Sequence, residues 1–345
     1  MVIWSKITLD LGSGGQLGEE VVFSGIQPSG RIHVGNYLGA IKNWVKLQDQ
    51  HLCYYCVVDY HAITSPYEPG AFSQAVLDAV AANVAAGLDP DRSVIFVQSQ
   101  VPEHTELCWI LGAVTPAGEL QRMTQYKDRA RVRREVVNAG VLTYPILQAA
   151  DILAYKGTLV PIGEDQAQHL ELTREIARKF NAAYGPTFPE PQVSFSPSPR
   201  IMSLSDPRVK MSKSIPGSYL SLMAEPAAIQ ETVARAVTDT GPTPGGEMSP
   251  GVATLFHLLD AFAPGETAER FRAAHRQGGL RYSELKAVLA ECLIERLEPI
   301  RRRYRELMAR PETLKDIVRH GTARARPAAC ATLEEVREKV GILKV

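Results

Sequence analysis

The sequence has no long hydrophobic run and no excess of charge of either sign. In 345 residues no apolar stretch approaches the roughly 18–20 residues that a helix needs to cross a bilayer, so no membrane contact is expected. The 38 basic residues balance the 38 acidic ones, which excludes a globally basic nucleic-acid clamp but allows a local basic face. Residues 1–20 lack the basic segment and apolar core of a secretory signal.

Cysteines are also few, and their number is odd. The five cysteines do not suggest a disulfide framework, so a reducing cytoplasm is the simplest setting. Cys53 and Cys56 form a C-x-x-C inside an apolar run that is typical of a buried strand. Residues three apart on a strand point to opposite faces, so we expect two structural thiols; a shared metal or redox role is the alternative.

What the sequence does contain is an alternation of strand-like and helix-like segments after residue 20. Such alternation predicts βαβ units and an α/β fold with a doubly wound, Rossmann-like parallel sheet. From about Pro226 onward, helical patterns dominate. We predict a flexible extension over residues 1–20, a nucleotide-binding α/β domain over 21–205, a linker loop over 206–219 and an α-helical domain over 220–345. The predicted strands are 21–26, 54–59 and 93–97, and the predicted helices are 36–48, 71–86, 145–155, 164–180, 283–310, 311–320 and 333–340.

The first motif that indicates chemistry runs from Phe23 to Asn36. It leaves the first strand and enters the first helix, which is where a doubly wound sheet binds a nucleotide. Gly30 and Gly35 lack a Cβ and let the backbone approach a ligand, and the helix N-terminus offers N–H groups to a phosphate. His33 and Asn36 add further donors. A plain structural turn is the alternative.

The second motif is Lys210-Met-Ser-Lys-Ser214, in a loop flanked by Pro207 and Gly217. Two lysines and two serines between turn-forming residues suit a mobile phosphate-binding loop. A solvated basic loop is the alternative.

Taken together, and in this order, the two motifs resemble the signatures of the class I aminoacyl-tRNA synthetases. Residues 33–36 stand at the family's His-Ile-Gly-His signature, and residues 210–214 match Lys-Met-Ser-Lys-Ser letter for letter. Asn36 replaces the second histidine, a variant typical of the tryptophanyl-tRNA synthetases. Further stretches similar to that branch are 25–30, 35–40, 58–64, 149–153, 163–166 and 201–204.

The resemblance implies a ligase that uses ATP to convert L-tryptophan to its adenylate and then charges tRNA(Trp). It also implies a homodimer whose helical carboxyl-terminal domain reads the anticodon. Because the amino-acid carboxylate is already ionised, attack on the α-phosphate needs alignment and charge stabilisation rather than a general base. We expect His33, Lys210 and Lys213 to supply that stabilisation, with Mg²⁺ on the pyrophosphate oxygens.

The resemblance also assigns the ATP contacts. Gly163, Glu164 and Asp165 are expected at the ribose or adenosine and Ile201 beside the adenine; for Asp165 a helix N-cap is the alternative, and the two roles are compatible. The full set of expected ATP contacts is Gln27, Pro28, Ser29, Gly35, Asn36, Gly163, Glu164, Asp165, Ile201, Lys210, Met211, Ser212, Lys213 and Ser214, with Ser212 also counted in the catalytic loop.

For tryptophan, the residue of interest is Asp151. It lies within an otherwise apolar helix, where an unpaired carboxylate would be costly, and the indole N–H is a donor without acceptor capacity. The resemblance assigns Asp151 that contact; pairing with a structural Arg or Lys is the alternative. We expect Phe23, His61, Gln148 and Gln166 to complete the pocket, although His61 has the alternative of a plain core residue.

Two basic clusters, residues 127–134 and 301–305, are candidates for tRNA phosphates, with solvated helix faces as the alternative. No DNA partner is expected. Cys292 and Cys330 are too far apart in sequence to suggest an iron–sulfur cluster. The alternative hypotheses for the function are a tyrosyl-tRNA synthetase, a small-molecule adenylyltransferase and a non-charging paralogue that binds tryptophan or a regulatory partner.

Overall fold

The fold was analysed in a computed structural model, which describes residues 20–30, 32–132, 138–163, 166–195, 201–212, 215, 217–238 and 247–344. Five strands form one sheet in the order β3-β2-β1-β4-β5, and every pairing is parallel. This confirms the predicted doubly wound α/β architecture. The strands are β1 (Val21–Ile26), β2 (Leu52–Val57), β3 (Val94–Val97), β4 (Leu159–Ile162) and β5 (Gln192–Phe195).

Helices cover both faces of the sheet and make up most of the second half of the chain. Between α1 and α2 the helix widens into a π-helical segment, Tyr37–Ile41. The α-helices are α1 (Val34–Asn36), α2 (Lys42–Leu47), α3 (Asp59–Ala62), α4 (Pro69–Ala85), α5 (Glu103–Ala113), α6 (Ala117–Arg122), α7 (Thr124–Val132), α8 (Ala139–Leu153), α9 (Ala167–Tyr184), α10 (Pro226–Arg235), α11 (Pro250–Phe262), α12 (Gly265–Arg276), α13 (Tyr282–Met308) and α14 (Pro311–Val340). In the described part of the chain, no helix combines the length and apolar character that a bilayer crossing requires.

The two faces of the sheet bury separate apolar clusters. Cys53 belongs to the cluster on one face and Cys56 to the cluster on the other, as the strand prediction requires. Burial raises the pKa of the Cys53 thiol to about 11 and that of Cys56 well above its ordinary value. Both thiols are therefore protonated and unpaired core groups.

Two predicted helix boundaries are wrong for the same reason. The helix expected from residue 145 begins at Ala139, where the Asn138 side chain caps it, and it runs through Pro145. The helices expected over 311–320 and 333–340 are one helix, α14, which runs through Pro327. A proline removes one backbone hydrogen bond, but the packing of a long helix outweighs that loss.

The last helix lies against the edge of the sheet. Gly321 of α14 meets the backbone of Ile95, so closely that a Cβ there would lie 1.7 Å from the Ile95 carbonyl oxygen. Arg324 donates to the carbonyls of Pro90 and Ser93 at 2.8 and 3.0 Å. The end of the chain thus covers strand β3, which would otherwise be an exposed edge.

Candidate active site

The strand order places a crevice beside β1. The chain runs outward from β1 to β3 and then returns to the other side of β1 with β4, so the strand order reverses between β1 and β4. Ligands bind α/β sheets at this point, outside the carboxyl ends of the strands. Gln27 and Ser29 follow β1 there and are exposed, Pro28 between them is buried, and Gly163 follows β4. Gly30 has φ +77°, a conformation that suits glycine in the turn into α1.

His33 and Asn36 form a reciprocal cap at the start of α1. The Asn36 backbone N–H donates to His33 Nδ1 at 3.3 Å, and the His33 N–H donates to Asn36 Oδ1 at 3.2 Å. Because Nδ1 accepts, the hydrogen of the neutral ring is on Nε2. Asn36 therefore has a structural role that a carboxamide oxygen can fill, and His33 is oriented as a donor.

The second signature is held in a short antiparallel pairing. The Met211 N–H donates to the Ile201 carbonyl at 3.1 Å, and the Ser203 N–H donates to the Val209 carbonyl at 2.9 Å. Ile201 and Met211 are buried, whereas Lys210 is exposed. The lysine is thus presented to solvent from a fixed backbone.

The structure brings the two signatures into contact. The Val34 N–H donates to the Leu220 carbonyl at 2.9 Å, which joins the chain after the second signature to the first. The Sδ atom of Met211 lies 3.4 Å from the position that a Cβ of Gly35 would take. A larger residue than glycine at position 35 would therefore press against both Met211 and the ring of His33.

Asp151 is the centre of a buried hydrogen-bond network. The residue is 1% exposed. Oδ1 lies 2.7 Å from both Gln98 Nε2 and His104 Nδ1, and Oδ2 lies 2.7 Å from His61 Nε2. The other ring nitrogen of His104, Nε2, lies 2.7 Å from the hydroxyl of Tyr155. In the described residues, Asp151 is paired with histidines and an amide rather than with the structural Arg or Lys of the alternative.

The network keeps Asp151 ionised. Burial by itself raises the pKa of a carboxyl, but hydrogen bonds from His104 and His61 outweigh it and hold the pKa of Asp151 well below its usual range. The pKa of the Cys108 thiol, raised to about 12 by burial and by the Asp151 charge, reports the same negative potential. The site is a buried anion that accepts hydrogen bonds.

The structure gives the other predicted pocket residues the following surroundings. The rings of Phe23 and Tyr155 stack with centroids 5.7 Å apart. Gln148 is half-buried on α8, one turn before Asp151, and Gln166 is half-buried ahead of α9, where its N–H donates to the Gly163 carbonyl at 3.0 Å.

Sequence reasoning missed Gln98, His104 and Tyr155. Gln98 directly follows β3, and a polar residue at the carboxyl end of a buried strand is the signal that could have identified it. It also missed Tyr144, whose hydroxyl donates to Gln125 Oε1 at 2.8 Å and lies 2.6 Å from His169 Nε2.

Residues 301–305 were predicted as a basic cluster for tRNA phosphates, and this prediction is wrong for Arg301. This residue is 1% exposed, and its guanidinium donates to the carbonyls of Ala224 and Ile294 at 3.3 and 3.1 Å. It joins α13 to the chain ahead of α10. Arg302 and Arg303 are exposed and stay candidates.

Some predicted residues lie outside the described part of the chain. They are Glu164, Asp165, Lys213, Ser214 and the side chains of 129–134. Lys127, at the start of that basic cluster, is exposed.

Comparisons with known proteins show the family of the chain. The family profile of the class I tRNA synthetases for tryptophan and tyrosine matches residues 17–298, so the chain belongs to that family. The tryptophan–tRNA ligase of Clostridium tetani is 43% identical over 330 residues, covering 94% of this chain and 96% of its own. That of Deinococcus radiodurans is 45% identical over 331 residues, covering 94% and 99%. Within the family, the chain belongs to the tryptophan–tRNA ligase branch.

A solved structure agrees with the same branch. The tryptophanyl-tRNA synthetase of Campylobacter jejuni, complexed with ADP and tryptophan, is 32% identical and superposes with a TM-score of 0.82. The match covers 93% of this chain and 100% of that one.

Proposed function

We infer that the chain activates L-tryptophan with ATP, releases pyrophosphate and transfers the tryptophanyl group to the 3′ end of tRNA(Trp). One observation supports this most strongly. The two signature segments touch through Gly35 and Met211 at the crevice beside β1, and a buried anionic acceptor, Asp151, lies on the helix that leads into β4. The residues that we propose for the phosphates and for the indole thus belong to segments next to the neighbouring strands β1 and β4.

In the activation step, the tryptophan carboxylate attacks the α-phosphate of ATP and pyrophosphate leaves. We propose that the Nε2–H of His33 and the ammonium groups of Lys210 and Lys213 stabilise the negative charge on the phosphates. We propose that Mg²⁺ enters as the MgATP complex, held by phosphate oxygens.

The remaining ATP contacts are proposed from their places at the crevice. Gln27, Pro28 and Ser29 follow β1, and Gly163 follows β4 on the other side. Ile201 is buried beside the second signature and offers an apolar surface to adenine. Glu164 and Asp165, directly after Gly163, are proposed for the ribose hydroxyls, which a carboxylate can accept from.

Asp151 is proposed to accept the hydrogen bond of the indole N–H. A site built around a buried acceptor rejects analogues that lack the donor more strongly than size alone permits. Phenylalanine has no donor, and its binding would leave Asp151 with an unused acceptor position.

The test is amino-acid-dependent ATP–pyrophosphate exchange, with tryptophan, tyrosine and phenylalanine assayed separately. Exchange with tryptophan alone, followed by charging of tRNA(Trp), is the expected result. Exchange with tyrosine would keep the mechanism and overturn the role of Asp151. Folded protein with no exchange for any of the three would favour the non-charging paralogue.

A homodimer is proposed, with α5 in the interface. Trp109 on α5 is 82% exposed, and aromatic residues of this size are enriched at the centres of protein interfaces. Trp109→Glu is expected to give a monomer in sedimentation velocity. Leu343→Glu, which changes an equally exposed side chain (84%) at the chain end, is expected to leave the dimer intact. A dimeric Trp109→Glu protein would exclude this face.

The helical part of the chain is proposed to read the anticodon, with Arg302 and Arg303 as candidate phosphate contacts. All five cysteines are unpaired, which supports the proposed cytoplasmic location.

A further inference from the structure

The hydrogen bonds at Asp151 can be counted atom by atom. An ionised carboxylate has about two acceptor positions on each oxygen. Oδ1 uses both, for Gln98 and His104, whereas Oδ2 uses one, for His61. Among the described residues, one acceptor position is therefore left, and it is on Oδ2.

The orientation of His104 depends on Tyr155. An ionised carboxylate only accepts, so His104 Nδ1 carries a hydrogen, and the neutral ring then has a bare Nε2. The Tyr155 hydroxyl lies 2.7 Å from this nitrogen and, with the ring neutral, is the donor to it. His104 is fully buried, so no water can replace the donor at Nε2. Tyr155 thus fixes both the tautomer and the direction of the ring.

We propose that Tyr155 and His104 are positioning residues for amino-acid selection. They hold Oδ1 of Asp151 saturated, so that the carboxylate presents a single acceptor position, on Oδ2, to the indole N–H. This inference rests on the proposed function and adds to it the residues that set its selectivity. Neither residue is among those proposed above for the phosphates, so we expect their effect on amino-acid binding and not on the chemical step.

Loss of the Tyr155 hydroxyl should relax the site without removing its packing. The Tyr155 ring stacks on Phe23 at 5.7 Å and on Tyr54 at 4.2 Å, and a phenylalanine at this position keeps both contacts. His104 Nε2 then has no donor, which favours a turned ring and removes one donor from Oδ1. The carboxylate of Asp151 can then rotate and use the remaining protein donors for both oxygens, without the indole N–H.

The experiment compares tryptophan with its isostere 3-benzothienylalanine, which has sulfur in place of the indole N–H. In the wild type, kcat/KM for exchange should strongly favour tryptophan. In Tyr155→Phe, the preference should fall about tenfold through the KM for tryptophan, with kcat within about twofold. Tyr54→Phe is the matched control, because it removes a hydroxyl from the same ring stack while both nitrogens of His104 are already bonded to other residues. It should leave the preference unchanged.

A second variant separates positioning from general loss of stability. In His104→Asn, the shorter amide does not reach Tyr155, so the direction of its donation to Oδ1 of Asp151 is no longer fixed. Because the two residues act as one chain, Tyr155→Phe, His104→Asn and the double variant should show the same loss of preference, without addition. If Tyr155→Phe fails to fold, His104→Asn alone decides the question.

The outcomes distinguish this inference from the proposed function. A wild type that does not prefer tryptophan over the isostere would refute the contact between Asp151 and the indole. A wild type with the preference, together with variants that keep it in full or lose it additively, would refute the positioning role of Tyr155 and His104.

Discussion

The close contact between Gly321 and Ile95 predicts that a larger residue at position 321 lowers the free energy of unfolding. In Gly321→Ala, the new Cβ would lie 1.7 Å from the Ile95 carbonyl oxygen and 2.5 Å from its carbon. Both atoms are backbone atoms of β3, which pairs along its length with β2. Neither can turn aside as a flexible side chain would, so α14 must move away from the sheet.

The required movement is large enough to disturb the surrounding contacts. Ordinary carbon contacts need roughly 3.5 Å, so the helix has to move by more than about 1 Å. Ala325 and Ala329, which are buried on the same face, lose contact, and the hydrogen bonds of Arg324 to Pro90 and Ser93 stretch. Overpacking costs about 1–3 kcal/mol, and two weakened charged hydrogen bonds bring the expected loss of unfolding free energy to about 3–5 kcal/mol.

Urea unfolding followed by circular dichroism measures this difference. The control is Gly112→Ala in α5, where the new Cβ would meet only Ile146 Cδ1, at 3.8 Å. There the better helix propensity of alanine should stabilise the protein by up to about 1 kcal/mol. If Gly321→Ala were as stable as the wild type, the close packing of α14 on β3 would be refuted.

Three further predictions concern the site. Lys210→Ala and Lys213→Ala should each lower the adenylation rate by about 10²–10³ while tryptophan still binds, which single-turnover adenylation and calorimetry measure; near-normal rates would exclude the lysines from catalysis. Asp151→Ala should lose the preference for tryptophan over phenylalanine in the exchange assay, and an unchanged preference would refute its role. Because the pKa of Asp151 is lowered in the fold, the stability that it contributes is present above its unfolded pKa of about 3.9 and is lost as the pH falls through its lower folded pKa. Urea midpoints between about pH 6 and 3 should therefore fall less steeply in Asp151→Asn than in the wild type.

The parallel sheet and the place of the first motif were predictable because they depend on local patterns. Apolar runs flanked by turn residues predicted β1, β2 and β3. The continuity of α8 and α14 was not predictable, because the packing that tolerates Pro145 and Pro327 is tertiary.

A site residue could be predicted only where the residue type, in its local sequence, requires a hydrogen-bond partner. Asp151 stood out because a carboxylate in an apolar helix requires partners. Its partners did not stand out, because Gln98 and His104 come from different elements, and nothing local links them to position 151. The prediction for Arg301 was wrong for the converse reason. Within a basic run of sequence, nothing shows that one arginine is buried and donates to backbone carbonyls.

The residues proposed for amino-acid recognition and those proposed for phosphate chemistry follow different strands. Gln98 follows β3 and His61 follows β2, whereas His33 follows β1, the strand next to β4 at the crevice. Because the two halves share no hydrogen bond described above, variants in one should leave the other unchanged. Gln98→Ala should therefore raise the KM for tryptophan with the KM for ATP within about twofold, since it removes one donor to a buried carboxylate. Steady-state exchange at varied tryptophan and varied ATP measures both values, with Gln100→Ala on the same turn as the control. An equal rise in both KM values for Gln98→Ala would show that the tryptophan and ATP sites are coupled. The proposed separation of the two sites would then be wrong.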